Sequence, residues 1–219
     1  VLCVSQAGTL MQDRLPISML GVGTDLFDAG RSAGKELPEH FHRLAEFGIL
    51  ASKKDPFDPM EKALRELGAS RLAATEHLHD NWSLVREYPL SPELLALSHV
   101  WQPPDKTQVM VAAKGSPEAI ADLCHLAPER TQQIAGQVAT MARAGLRVLG
   151  VSRGAYRPRL LPGKQHDFHF EFLGLVGLAD PVRANVPAAV EECYTAGMRV
   201  VMITGDHRET AHCIARQAG

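Results

Sequence analysis

The stretch that most constrains this chain lies near its end. Arg199-Val200-Val201-Met202-Ile203 is largely apolar and β-branched, Thr204-Gly205-Asp206-His207 has the composition of a turn, and Glu209 to Ala218 reads as a helix. Strand, turn and helix in this order belong to a parallel α/β sheet, in which ligands gather at the carboxyl ends of the strands. A parallel strand needs a parallel partner. The stretch able to supply one is residues 1–4, Val-Leu-Cys-Val, at the opposite end of the sequence. The two ends therefore predict one small parallel unit, with everything between them inserted into it.

The inserted middle reads differently. Ile17 to Val22 alternates as a short strand, and Thr24 to Leu37 is polar and glycine-rich, as in a loop. From Pro38, Phe41, Leu44, Phe47 and Leu50 recur at helical spacing. Asp58 is placed to cap a second helix with Pro59 at its first position, and Gly68 is placed to stop it. Trp82 to Leu90, Leu94 to Trp101 and Thr107 to Ala113 are strand-like, the last two forming an antiparallel hairpin across Pro103-Pro104-Asp105-Lys106. A helix over Glu129 to Ala144 ends at Gly145, Leu146 to Val151 is a strand, Tyr156 to Asp167 a loop and Phe168 to Leu178 a strand. Val186 to Ala196 then forms a helix stopped by Gly197. The fold class that results is α/β: an antiparallel sheet flanked by helices, inserted into a smaller parallel unit.

Within that sheet one turn stands out. Val109 to Ala113 is a buried-strand run that delivers Lys114 and Gly115 to a turn, and Ser116-Pro117-Glu118 has the residues of a helix start. A lysine at a strand end, beside a glycine that admits close backbone approach, suits a nucleotide or phosphate contact. An ordinary strand-to-helix turn with a solvated lysine fits the same residues.

Bulk properties narrow the function classes. A chain of 219 residues with 45% hydrophobic and 22% charged residues has room for one large or two small soluble domains. A net charge of -2 gives no reason to expect nucleic acid or an anionic membrane as partner. The four cysteines, Cys3, Cys124, Cys193 and Cys213, form no C-x-x-C pair, and the ten histidines have no tight ligand spacing, so no metal site is expected. Neither a signal peptide nor a run long enough to cross a bilayer is present, and both ends read like cuts from a longer polypeptide.

Three motifs then fall into a known order. Lys114-Gly115-Ser116-Pro117-Glu118, Asp180-Pro181-Val182-Arg183 and Met202-Ile203-Thr204-Gly205-Asp206-His207 together resemble the cytoplasmic catalytic region of P-type cation-transporting ATPases, most of all bacterial members related to calcium and other metal-ion pumps. The resemblance covers essentially the whole chain. It implies a P domain of haloacid-dehalogenase type, made of residues 1–14 and a truncated piece at 184–219, with an ATP-binding N domain at 15–183. It implies that Lys114 and Gly115 contact nucleotide, that Glu61 meets the adenine amino group, that Tyr88 stacks on adenine, and that Arg147 lies near the phosphates. Arg183 and Asp206 would close over the nucleotide, and Thr204 would hold the transferred phosphoryl group. ATP or ADP is the implied ligand, and Mg²⁺ serves the parent enzyme. The remainder of the pump, on the cytoplasmic side of a membrane, is the implied partner.

One departure limits the carry-over. The family's phosphorylation signature is Asp-Lys-Thr-Gly-Thr-Leu-Thr, and the aligned stretch here is Ser5-Gln6-Ala7-Gly8-Thr9-Leu10-Met11. Ser5 stands at the position of the phosphorylated aspartate. An acyl phosphate needs a carboxylate as nucleophile, and serine has none; the change also removes a ligand for the Mg²⁺ that the transfer requires. The expectation is nucleotide binding without a phosphoenzyme. The alternative is a degenerate module that scaffolds or regulates without using nucleotide. Self-association through the short parallel unit is a further expectation, because few strands are present to cover Val200 to Ile203.

Overall fold

The computed structural model describes residues 1–12, 14–32, 36–73, 75–157 and 160–219. Its strands are β1 (Leu2–Ser5), β2 (Ile17–Val22), β3 (Asp25–Asp28), β4 (Ser83–Tyr88), β5 (Ala96–Gln102), β6 (Val109–Gly115), β7 (Leu146–Tyr156), β8 (Glu171–Ala179) and β9 (Val200–Ile203). Its helices are α1 (His42–Leu50), α2 (Pro59–Arg71), α3 (Pro117–Leu123), α4 (Pro128–Arg143), α5 (Val186–Thr195) and α6 (Arg208–Ala218).

The two ends of the chain pair as their apolar, β-branched composition requires. Leu2 to Ser5 run parallel to Val200 to Ile203, residue opposite residue. Val4, Val200 and Met202 face Val186, Val190 and Ile214 of α5 and α6, which form a small separate core. The opposite face of this pair leaves Val201 and Ile203 exposed.

The middle of the chain builds a seven-stranded antiparallel sheet in the order β3-β2-β8-β7-β6-β5-β4. Strand alternation sends successive side chains to opposite faces. Ala112, Val151 and Val176 therefore pack under α1 and α2 with Phe41, Leu44, Phe47 and Leu64. Val109, Val111 and Ala113 pack on the other face against Ile120 and Leu123 of α3. On that same side α4 places Ile134, Val138 and Met141 over Leu146 and Leu175. With helices on both faces, the central strands lose the polar alternation of a half-exposed strand, and this is why Val109 to Ala113 reads as a continuous apolar run. Two capping predictions hold: the Asp58 side chain accepts from the amides of Met60 and Glu61, and the Ser116 hydroxyl accepts from the amide of Ala119.

Several boundaries differ from the sequence reading. Asp25–Asp28 is a strand, paired with β2, inside the stretch read as loop; the 33–35 part of that loop lies outside the described residues. Gly68 does not stop α2, which runs on to Arg71. A Cβ at Gly68 would come within 2.4 Å of the Ile49 side chain, so the glycine allows α1 and α2 to approach closely. The strand expected over Leu146 to Val151 continues to Tyr156; positions 158 and 159 of the following loop are outside the described residues. Lys114 and Gly115 end β6 itself, where a turn was expected.

The parallel pair is tied to the large sheet at its base. Met11 bridges to Val182, the Gln12 amide donates to the Pro181 carbonyl, and the Thr210 hydroxyl of α6 donates to the Leu146 carbonyl at the start of β7. The turn after β9 thereby stands beside β7. Among the described residues no helix is long and apolar enough to cross a membrane.

Candidate functional site

Lys114 and Glu61 meet under α1 and α2. The Lys114 ammonium donates to Glu61 Oε1 at 2.7 Å and to the Ser52 hydroxyl at 2.8 Å. The other carboxylate oxygen of Glu61 accepts from the Lys53 amide, and the Ser52 hydroxyl donates to the Gly48 carbonyl. Both charged groups are buried. Burial pulls the Lys114 ammonium below the ordinary lysine range, and Glu61 offsets part of that shift. Burial raises the Glu61 carboxyl, but the hydrogen bond and charge of Lys114 outweigh it and hold the group below its ordinary value. A pair this well matched is stable only while both members remain.

Tyr88 lies on the opposite face of the sheet. Its partner across β4 and β5 is Ser98, whereas the partner of Lys114 across β5 and β6 is Leu97. Adjacent residues of one strand point to opposite faces, so Tyr88 and Lys114 are separated by the sheet. The Tyr88 ring packs edge-on against Phe168 with centroids 5.5 Å apart, and its hydroxyl donates to the Pro162 carbonyl at 2.6 Å. The Arg86 guanidinium covers the ring at 4.5 Å. The sequence carry-over gathered Glu61, Tyr88 and Lys114 at one base; the structure brings together only Glu61 and Lys114.

An open cleft of about 580 Å³ lies nearby, at the start of β7. It is lined by Gly115 and Ser116 from the end of β6, by Arg147 from β7, by Asp206 from the turn after β9, and by Leu90 and Leu95 from the β4–β5 loop. Leu90 and Leu95 are 56% and 53% exposed, an unusual state for two leucines in one loop. Sequence reasoning missed them by running the strands too far toward Leu90 and Leu94. The Ser91-Pro92 break between them was the available signal. Gly115 has a packing reason to be glycine here, since a Cβ would lie 2.3 Å from the Leu95 carbonyl oxygen.

Across the cleft Arg147 is paired with Asp206. Its Nε donates to Oδ1 at 3.0 Å and its Nη2 to Oδ2 at 3.3 Å. Asp206 accepts a third hydrogen bond, from the side-chain amide of Gln6, and its own backbone amide donates to the Thr204 hydroxyl. One carboxylate thus joins the turn after β1, the turn after β9 and the first residues of β7.

Residues 53–185 match the family model described as P-type ATPase, cytoplasmic domain N. The chain belongs to the P-type ATPases. It is 36% identical over 173 residues to the sodium/potassium exporting P-type ATPase cta3 of Schizosaccharomyces pombe, an alignment covering 74% of this chain and 16% of that protein. It is 29% identical to the potassium-transporting ATPase alpha chain 1 of Xenopus laevis, with 100% of this chain and 25% of that protein covered. It is 25% identical to the calcium-transporting ATPase of Bacillus subtilis, with 99% and 28% covered. The chain therefore spans between about a sixth and somewhat over a quarter of the length of these relatives.

In this P-type ATPase the other residues singled out by sequence occupy separate places. Ser5 is exposed at the end of β1, opposite Ile203. Thr204 is exposed and its hydroxyl shapes the turn that carries Asp206. Arg183 is half-buried, and its amide donates to the Leu10 carbonyl near the base of the parallel pair. Among the nine positions named from the sequence, the cleft is lined by Gly115, Arg147 and Asp206.

Proposed function

We propose that this chain is the nucleotide-binding part of a cation-transporting P-type ATPase, joined to a piece of its phosphorylation domain, and that it holds ATP or ADP in the cleft without forming a phosphoenzyme. The observation that supports this reading most directly is the cleft's composition. Two exposed leucines offer an apolar wall of the kind a purine base covers, and a guanidinium lies on the facing side where phosphates would reach it. The buried Lys114–Glu61 pair acts behind this wall by fixing the end of β6, and Tyr88 acts in the core.

The remaining parts of the reading rest on the resemblance. Residues 1–14 and 184–219 are proposed as pieces of a haloacid-dehalogenase-like P domain, and 15–183 as the N domain. The rest of a membrane-embedded pump is the proposed partner. The exposed face with Val201 and Ile203 is where further strands, or a second copy of this chain, would pack. The names of the relatives include sodium, potassium and calcium transporters, so a cation pump of bacterial calcium type is one member of the proposed class.

The Ser5 hydroxyl would give a phosphate ester in place of an acyl phosphate. The donor set also does not suit a protein-held Mg²⁺: Ser5 is a neutral hydroxyl, and both Asp206 carboxylate oxygens are engaged by Arg147 and Gln6. No step through the metal follows for this chain.

Calorimetric titration with ATP and ADP tests the proposal. Saturable binding in the micromolar-to-millimolar range is expected, abolished by Leu95→Glu, which changes an exposed cleft residue without touching the core. No binding at millimolar nucleotide, with Leu95→Glu indistinguishable from the parent, sinks it and leaves the scaffolding alternative.

A further inference from the structure

The Arg147–Asp206–Gln6 arrangement has a consequence for what the cleft selects. We infer that Asp206 is a built-in competitor for the phosphates of a nucleotide at Arg147, positioned by Gln6, so that the cleft takes the nucleoside part of its ligand more readily than the polyphosphate. This rests on the nucleotide reading and refines it.

The carboxylate engages the Nε–Nη2 edge of Arg147, the same edge by which a guanidinium takes two oxygens of a phosphate. Phosphate and carboxylate are alternatives at that edge. The pair is also electrically neutral as a unit, so an incoming phosphate meets a cancelled charge and a nearby carboxylate that repels it. Building a like charge against one ligand is a recognised route to selectivity between ligands.

Gln6 is what makes the arrangement persist. The residue is 2% exposed, its amide nitrogen donates to Asp206 Oδ2, and its amide oxygen has no hydrogen-bond partner among the described residues. A buried amide left half-satisfied is unfavourable, so the bond to Asp206 accounts for most of what holds this side chain in place. Unlike a lysine, Gln6 donates without adding charge. It therefore steadies Asp206 but does not neutralise it, and Asp206 remains the anion paired with Arg147. The Asp206 backbone, fixed by the Thr204 hydroxyl, completes the positioning from the other side.

The test compares adenosine with ATP, by calorimetric titration of the whole chain and of Asp206→Asn. In the parent, adenosine and ATP are expected to bind with similar affinity, within about threefold. In Asp206→Asn, ATP affinity should rise about tenfold while adenosine stays within about twofold. The ATP gain should shrink as salt is raised, because it comes from a cationic group that solvent still partly reaches. Gln6→Leu, which keeps Asp206 but removes its donor, should raise ATP affinity by a smaller factor, about threefold, again sparing adenosine. It also serves if Asp206→Asn fails to fold. A purely structural role for either residue would move both ligands together. Equal or weaker ATP binding in both variants overturns the competitor role while leaving the nucleotide site standing. Failure of adenosine and ATP alike to bind the parent and the variants overturns the site itself.

Discussion

The ammonium of Lys114 at the end of β6 and the carboxylate of Glu61 in the first turn of α2 are 2.7 Å apart and shielded from solvent, although more than fifty positions separate them in sequence. Each is the principal partner of the other. Removing one leaves a buried charge with nothing to balance it, so Lys114→Met should lower stability by about 3–5 kcal/mol. Replacing both, as Lys114→Met with Glu61→Leu, should recover most of that loss. Urea unfolding of the two single variants and the double variant measures the coupling; additive losses would show that the pair is not the unit described. Loss of nucleotide binding in a Lys114 variant would consequently need a stability control before it could be read as a lost contact.

Gly115 is held between strands. The Leu95 carbonyl and the Ala96 backbone lie where a Cβ would project, and neither can swing aside. Gly115→Ala is expected to destabilise the chain by about 1–3 kcal/mol and to distort the cleft wall that Leu95 forms. A thermal melt reads the first effect. An unchanged melting temperature would mean that β5 gives way more easily than its pairing suggests.

Tyr88 and Leu95 should behave in opposite ways. Tyr88→Phe removes the hydroxyl that donates to Pro162 and is expected to lower stability by about 1 kcal/mol with no change in ATP affinity. Leu95→Glu should leave stability within about 0.5 kcal/mol and abolish ATP binding. The reverse pattern in paired melts and titrations would return Tyr88 to the binding face.

Acid should weaken the fold in two windows. Burial holds the His99 imidazole below its ordinary value of 6.5, against the opposing influence of Glu87, the Leu50 carbonyl and Glu61, while Lys114 pushes it the same way as burial. The folded state therefore favours the neutral imidazole. Its contribution is complete above pH 6.5, where both states are neutral, and declines as pH falls through that value because the unfolded chain takes up the proton first. The slope from one such group is at most about 1.4 kcal/mol per pH unit. Burial raises the Glu46 carboxyl, but hydrogen bonds from His79 and His77 lower it by more, so its contribution is present above 4.5 and is lost only at lower pH. Urea unfolding across this range, with His99→Gln expected to flatten the upper window, separates the two. A stability profile flat between neutral pH and about 5.5 would contradict the His99 assignment.

What the sequence disclosed and what it hid follow from periodicity. The pairing of residues 2–5 with 200–203 was legible because both are short apolar runs with no other parallel partner. The helix caps at Asp58 and Ser116 were legible because capping is a local affair of a few atoms. Which face Tyr88 occupies was not, because a shift of one residue reverses every side chain of a strand and β4 carries a register irregularity between Leu84 and Arg86. Gly68 misled for a different reason: glycine ends helices and also lets them touch, and only the position of Ile49 tells the two apart. The Gln6–Asp206–Arg147 contact joins residues from three distant segments and has no signature in any one of them.

The parallel strand pair also sets an order of events. Of the strands described, β1 is synthesised before the others, yet its partner β9 is made after all of them. During synthesis β1 must wait, unpaired, while the whole antiparallel sheet is made. The sheet's own closure, sealed at Met11 and Val182, then brings the waiting strand alongside its partner and reduces a search across nearly the full length of the chain to one across a few residues. In refolding followed by pulsed hydrogen exchange, the amides of Val200 to Ile203 should gain protection after those of β6 and β7. Earlier protection would reverse that order. This stretch thus matures from its middle outward, and Leu2 to Ser5 find their place only after the strands made between them and Val200 to Ile203.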